Sequence, residues 1–502
     1  MPGKYRAKIR MYRHGLGDCF LLTFPRTRGK PFHMVIDCGV ILGTKDPADK
    51  MKAVVDDLAT ATKGVIDVLA VTHEHWDHVS GFLQVEDWTS RFDVKEVWFG
   101  WTEDPEDELA RKLDKFKDKA LATLMKAAGH MRLSGMGAAA EVDSILGFYG
   151  VGSDGPMSSG LKAAGTMLGA GSTRDARDKV RELGPVHYRR PGEAPVRIGP
   201  AKGPLVYVLG PPHDEKKIKR YSPSRSHPET YELAAADPAA ALVRAFETYD
   251  EDAPFGLEHR IPLDHAGDLP FFRDRYWGQA DMDDLCSEYC HTRKDPKERE
   301  TNLSLLDQAW RRVDDAWLGV SPDLALKLDS ATNNTSLVLA IELEPDGDVL
   351  LFAGDAQVGN WLSWHDVKWE DDGKTVTGTD LIKRTLLYKA GHHGSHNATL
   401  KQQGLELMDH PDLIALVPVD HEMAVKKSWN EIPRPSLMKR LHEKARGRVL
   451  CSDDAETLAK MHDPAVIDEK DWKTFTRQVK VATTKIAATD GRARPLWYEV
   501  TL

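Results

Sequence analysis

The chain has 502 residues, 41% hydrophobic and 29% charged, with a formal net charge of −10. That length and composition allow a sizeable core, in several domains or in one domain with insertions. They exclude a surface that is basic everywhere, so a nucleic-acid ligand would need a local basic patch.

The N-terminus, MPGKYRAKIRMYRHGLGDCFLLTF, has no signal-peptide hydrophobic segment and reads as a strand that starts almost at once. KIRMYRHG and FLLTFP are short strand candidates around a Gly-rich turn. FHMVIDCG is an apolar run that ends in Asp-Cys-Gly. Residues 48–60 have the spacing of an amphipathic helix. VIDVLAVT is nearly all apolar, as in a strand covered on both faces, and KEVWFGW is another strand. This alternation predicts an α/β layered architecture.

Residues 105–130 are helix-like and charged, and 131–175 are rich in Gly, Ala and Ser. The span 104–185 reads as a helical, Gly-rich insertion. Strands resume at 186–209 with VHYRR and GPLVYVLGPP. A second irregular span, 214–330, holds KKIKRYSPSRSHP, the aromatic cluster FFRDRYW and a helical LLDQAWRRVDDAWLG. TSLVLAIE, VLLFAGD, TLLYKAG and LIALVPV are further strands, and PSLMKRLHEKA is a helix before RVLCSD. Residues 456–502 read as a C-terminal extension. No apolar run approaches the ~18–20 residues that span a bilayer. Cys19, Cys38, Cys286, Cys290 and Cys451 are scattered, which predicts a reduced, cytoplasmic setting. CSEYCH at 286–291 lacks the second ligand pair of a structural zinc site, so it reads as a packed helix.

The chemistry concentrates in LAVTHEHWDHVSG at 69–81. A buried strand ends there in the pattern H-x-H-x-D-H. His73 and His75 are two apart and point the same way in extended backbone. Asp77 and His78 follow where the turn winds into a helix. Such a turn can face two neighbouring metal positions, and strand ends are where α/β folds place ligands.

This pattern resembles the signature of the metallo-β-lactamase fold, a superfamily of binuclear metal hydrolases. Its other motifs occur in order. FAGDA (352–356) is similar to the strand-end Gly-Asp, which makes Asp355 the implied bridging carboxylate. GHHGS (391–395) is similar to the late histidine motif; one of His392 and His393 is then a ligand and the other faces substrate, and the sequence leaves open which. VIDCG resembles the early strand end whose Asp37 accepts a hydrogen bond from a ligand histidine. HGLGDCFLL, NNTSLVL, KAGHHGS and PRPSLMKRL…GRVLCSDD together resemble the ComEC-like branch, the hydrolase domain of a bacterial DNA-uptake channel.

The resemblance covers about 8–103, 186–213 and 316–455. It implies a single domain over 1–502 with the four-layer αββα fold, two central mixed sheets flanked by helices, and large insertions. It implies two divalent ions, zinc favoured over manganese or iron. His73 and His75 would hold the first. Asp77, His78 and the late histidine would hold the second. A bridging hydroxide would attack phosphorus or a carbonyl carbon, and the second histidine of GHHGS, His393, or a metal-bound water would protonate the leaving group. Asp18, Asp37, Asn333 and Asn334 are the expected outer supports, and His396 and Arg434 the expected substrate contacts. The implied activity is phosphodiester or nucleic-acid hydrolysis. Hydrolysis of a carboxylic ester, lactone or thioester is the alternative, and a non-catalytic interaction protein a third. The insertions offer a surface for a protein partner.

Two departures stand out. Where many such hydrolases carry a histidine before the strand that precedes Gly-Asp, this chain reads Ala331-Thr332-Asn333-Asn334-Thr335-Ser336. The first metal position is therefore expected to be the weaker. Arg434-Pro435 stands where ComEC-like sequences tend to have His-Pro, and arginine is a good phosphate anchor. His187 and His213 read as surface residues rather than as replacements. Lys216, Lys217, Lys219, Arg220, Arg225, Arg189 and Arg190 read as solvated faces, with a phosphate groove as the sharper alternative.

Overall fold

The structure is a computed structural model and describes residues 5–26, 28–133, 137–152, 172–199, 203–220, 321–371, 373–455 and 457–502. Cys286, Cys290, His291, Arg225, the aromatic cluster at 271–277 and the helix expected at 305–319 lie outside them. The chain forms two compact units. The first comprises residues 1–121, 140–236 and 325–502, and the second 122–139 and 237–324. Of the second, the described residues are 122–133, 137–139 and 321–324, helical apart from a turn at 137–138.

The first unit is mixed α/β. In chain order its principal elements are β1 (Lys8–Tyr12), β2 (Cys19–Phe24), β3 (Phe32–Cys38), α1 (Pro47–Thr62), β4 (Val68–Ala70), α2 (Trp76–Val79) and β5 (Val97–Gly100). Helices α3 (Glu108–Leu133), of which residues 108–121 belong to this unit, and α4 (Thr173–Arg181) precede β6 (Val186–Arg189), β7 (Val196–Arg197) and β8 (Leu205–Gly210). Helix α5 (Ser321–Asn333), in this unit from residue 325 on, leads into β9 (Val338–Glu342), β10 (Val349–Phe352), α6 (Val358–Ser363), β11 (Thr385–Lys389) and β12 (Ile414–Val417). Helix α7 (Pro435–Lys444), then β13 (Val449–Cys451), β14 (Val479–Val481) and β15 (Trp497–Thr501) complete it.

One eight-stranded sheet has the order β14-β15-β1-β2-β3-β4-β5-β6, and a seven-stranded sheet the order β13-β12-β11-β10-β9-β8-β7. Each is antiparallel on one side and parallel on the other. Side chains alternate across a strand. Phe20 and Leu22 of β2, Met34 and Ile36 of β3, and Val68 and Ala70 of β4 therefore share a core with Leu339, Ile341, Leu350, Phe352, Leu387 and Leu416 of the other sheet. Phe20 meets Phe352 edge to face at 5.5 Å. Each such burial contributes roughly 1.5–3 kcal/mol. The intervening residues Leu21, Val35 and Leu69 face the opposite side, where Met51, Val54, Val55 and Leu58 of α1 cover them. That is why residues 47–62 show a helical apolar stripe.

The expected strand VIDVLAVT is broken. Val65–Ile66 pairs with Asp93–Val94 in a separate small sheet, and only Val68–Ala70 joins the large one. Between them Asp67 accepts from the backbone N–H of His33 and from Arg26. The stretch 456–502, read as an extension, supplies β14 and β15. Strand β15 pairs with β1 from Lys8↔Thr501 to Tyr12↔Trp497. Among the described residues no helix is long and apolar enough to cross a membrane.

Candidate metal centre

Topology brings six segments to one edge of the two sheets. Strands β3 and β4 run parallel, so Asp37 and the loop after Ala70 emerge together. Strands β10 and β11 also run parallel, so Gly354-Asp355 and Gly391-His392-His393 emerge together. Antiparallel β2 starts where β3 ends, with Cys19 opposite Cys38, which sets Asp18 beside Asp37. Antiparallel β9 starts where β10 ends, which sets Asn333 to Ser336 beside Asp355. The backbone N–H of Leu337 donates to Thr72 at 2.7 Å and ties the two edges together. Close approach is enforced at Gly39: a Cβ there would lie 2.5–2.6 Å from the backbone of Asp77 and His78.

Asp77, His78, Asp355 and His393, all buried, place ligand atoms within 4.8 Å of one another. His78 Nδ1 is 2.9 Å from Asp37 Oδ2. Asp37 also accepts from the Thr72 N–H and hydroxyl, both at 2.7 Å. The ring proton of His78 therefore sits on Nδ1, and its Nε2 turns to Asp355 Oδ2 at 3.1 Å. His393 repeats the device. Its Nδ1 donates to the Pro418 carbonyl at 2.6 Å, and its Nε2 lies 2.8 Å from Asp77 Oδ2. Asp355 Oδ1 accepts from the Lys389 ammonium at 3.1 Å and from the His392 N–H at 3.0 Å, which leaves Oδ2 for the cluster. Beside this group His73 Nε2 and His75 Nδ1 converge at 3.1 Å.

The late-histidine alternative divides by geometry. His393 joins the cluster, and His392 does not. His393, expected at the leaving group or as a ligand, has its Nε2 against Asp77 Oδ2. His392 has Nδ1 within reach of Ser395 Oγ (3.1 Å) and Gln357 Nε2 (3.3 Å). Ser395 and Gln357 are closed into a ring by Asn397. His392 Nε2 is buried with no partner.

The two asparagines also differ. Asn334 is a scaffold: its Oδ1 accepts from the N–H groups of Gln357 and Asn360, and its Nδ2 donates to the carbonyls of Ile218 and Arg220. Ser336 of the same motif accepts from the Asp355 N–H. Asn333 donates to Asp329 Oδ2 at 3.1 Å, and its own Oδ1 is buried and unpartnered. Asp18 pairs with Lys389 at 2.5 Å. His396 is exposed, and the Arg434 backbone N–H donates to the Gly394 carbonyl while its guanidinium pairs with Glu431. His187 lies on β6 near Glu96, and His213 pairs with Asp107, so neither enters the cluster. Lys217 pairs with Asp366, Lys219 with Glu215, and Arg190 with Asp104 and Asp107, as solvated faces do.

Several residues escaped the sequence reading. Lys389 carried the only signal, a lysine directly before the histidine motif. Glu74, between the two histidines of the turn, is buried and held by Lys117 and by Arg177 at 3.2 Å. Phe148 stacks on the ring of His75 at 5.1 Å and on Trp429 at 4.7 Å, and Tyr149 meets His75 edge-on at 5.0 Å.

The donor set fits divalent cations. Asp18, Asp37, Asp77, Asp329 and Asp355 are buried, and Lys389 is the ammonium among them, an excess of carboxylates that divalent cations would neutralise. Asp77 Oδ1, Asp18 Oδ1, Asp329 Oδ1, His75 Nε2 and His392 Nε2 are buried without a hydrogen-bond partner, a costly arrangement unless something binds there. Burial holds His73 far below the usual imidazole range and His75 at about 4, so both offer the neutral rings that metals require. Burial opposes a proton on His78 and His393, but Asp355, Asp77 and Asp37 on the first and Asp77 on the second outweigh it and push both up. Protons and cations therefore compete there.

No known family's sequence profile matches the chain, and no curated protein matches it.

Proposed function

We propose that the protein is a two-metal hydrolase with the αββα metallo-β-lactamase fold, nearest the ComEC-like branch, and that it cleaves phosphodiesters. The observation that carries this reading is the convergence of Asp77, His78, Asp355 and His393 beside His73 and His75. Divalent ions bound there would make hydroxide available near neutral pH and stabilise charge on the attacked group. The chain's own residues do the rest. Asp37 and Pro418 fix His78 and His393 with Nε2 inward. Lys389 and the His392 N–H restrict Asp355 to Oδ2. His392, whose Nδ1 lies by Ser395 and Gln357 and whose ring burial holds at about 4, would present the Nε2 of a neutral imidazole to the leaving group.

An anionic substrate is supported by Lys427. It is half-buried, has no carboxylate partner among the described residues, and its Nζ lies 3.6 Å from where a Cβ on Gly147 would stand, next to Phe148. A second reading, a lactone or ester with an apolar acyl group, is favoured by the aromatic wall of Phe148 and Trp429. The test is metal analysis with a substrate panel: bis(p-nitrophenyl) phosphate, single- and double-stranded DNA, RNA and a lactone, on wild type and Asp77→Ala. Lactone turnover without phosphodiester cleavage would sink the first reading. Fewer than two ions per wild-type chain would sink the binuclear centre.

A further inference from the structure

The first metal position lacks the histidine that its relatives by motif place before the Gly-Asp strand. We infer that Asp329 compensates: it is the positioning residue that accepts the Nε2 proton of His75 and holds that ring with Nδ1 toward His73. The inference rests on the two-metal reading above.

His73 Nε2 and His75 Nδ1 stand 3.1 Å apart, both buried. Two donors on one tetrahedral ion at ~2.0–2.1 Å each lie roughly 3.3–3.4 Å apart. The pair is therefore set for a shared cation. An imidazole serves one ion through one nitrogen, so Nε2 of His75 carries the ring proton and needs an acceptor. The rings of Phe148 and Tyr149 pack on His75 and offer none. Asp329 Oδ1 faces His75 Nε2 at 3.8 Å. Neither atom has a hydrogen bond, and both are buried. Asn333, one helical turn later on α5, grips the other oxygen of Asp329 and so fixes which oxygen faces the ring. At 3.8 Å the two atoms are beyond hydrogen-bond length; the inference requires the gap to close when the position fills.

Among the described residues Asp329 has no cationic partner. It is buried near Asp77 and Asp355, and burial and those carboxylates push its carboxyl well up, so ionising it is a burden on the metal-free protein. A carboxylate kept for stability alone would be paired. A carboxylate that backs a ligand imidazole strengthens the donor, and loss of such a partner typically weakens metal binding ~10–100-fold. The site's departure from the histidine pattern thus need not leave its first position weak.

The test uses full-length protein, Co²⁺ titrated by calorimetry and followed by its visible spectrum, in wild type, Asp329→Asn and His75→Ala. Asparagine keeps the volume but turns an N–H toward His75, favouring the wrong tautomer. We expect Asp329→Asn to bind one equivalent as wild type does and the other ~10–100-fold more weakly, the same equivalent that His75→Ala loses. The metal-free variant should melt at or above the wild-type temperature. Two wild-type-like equivalents in Asp329→Asn would overturn the role of Asp329 and leave the two-metal reading intact. So would a lowered melting temperature of the metal-free variant, which would make Asp329 structural. Wild type binding one ion or none would overturn the two-metal reading, and this inference with it.

Discussion

Replacing Arg177 with leucine tests how the turn that carries His73 to His78 is held. Arg177, on α4, donates to Glu74 Oε2 at 3.2 Å and to Glu103 Oε2 at 2.6 Å, and all three side chains are less than a tenth exposed. Removing one partner of a buried ion pair typically costs ~3–5 kcal/mol because the other charge stays buried. Here Glu74 keeps Lys117, and Glu103 keeps Arg181 at 3.4 Å. The expected loss is therefore about 2–4 kcal/mol, read by urea unfolding of metal-free protein at pH 7. Burial alone would raise the Glu74 carboxyl, but Lys117 and Arg177 outweigh it and hold it below the usual glutamate value of 4.5. A group lowered on folding contributes stability above its unfolded pKa and loses it as pH falls through the folded one. The difference between wild type and Arg177→Leu should thus shrink on acidification below about pH 4.5. It should change little with added salt, since buried pairs are weakly screened. A loss under about 0.5 kcal/mol at pH 7, or additivity with Glu74→Gln in a double-mutant cycle, would refute the reasoning.

Gly39→Ala puts a Cβ against the Asp77–His78 backbone, so the turn must shift; we expect ~2–4 kcal/mol of destabilisation and weaker metal binding in the same variant, by unfolding and calorimetry. Lys389→Met strips Asp18 and Asp355 of their ammonium and should cost about 3–5 kcal/mol in the metal-free protein, with part regained on loading Zn²⁺ or Mn²⁺. Asp454 lies outside the centre, and burial raises its carboxyl from 3.8 to about 7. Its contribution is full below pH 3.8 and is lost as pH rises to about 7, at most about 4 kcal/mol at ~1.36 kcal/mol per pH unit. Asp454→Asn should therefore be more stable than wild type by about 1–4 kcal/mol at pH 8 and little different at pH 4, in paired unfolding curves.

Much of the layering was legible in sequence because strand and helix periodicities are local. The apolar runs CFLLTF, FHMVIDC and LVYVLG and the amphipathic 47–62 each report surface to be buried. Strand β15 was missed because WYEVT is short and its partner, β1, lies at the far end of the chain. VIDVLAVT was over-read because a continuous apolar run carries no mark of where Asp67 turns aside to bond His33 and Arg26.

For the site, sequence by itself determined which residues could be donors: the H-x-H-x-D-H turn, Asp355 and the histidine pair. Only the tertiary structure decided how they divide. His393 turns inward because the Pro418 carbonyl takes its other nitrogen, and His392 stays out because Ser395 and Gln357 hold its Nδ1. Asn334 is consumed as scaffold while Asn333 is not. Lys389 and Asp329 enter from a strand end and a helix end that no motif joins to the turn. Donor identity is written in residue types and short spacings. Donor direction depends on hydrogen bonds made by the other side of each ring or carboxylate, and the partners of His78, His393 and Asp355 (Asp37, Pro418 and Lys389) lie tens of residues away on other elements.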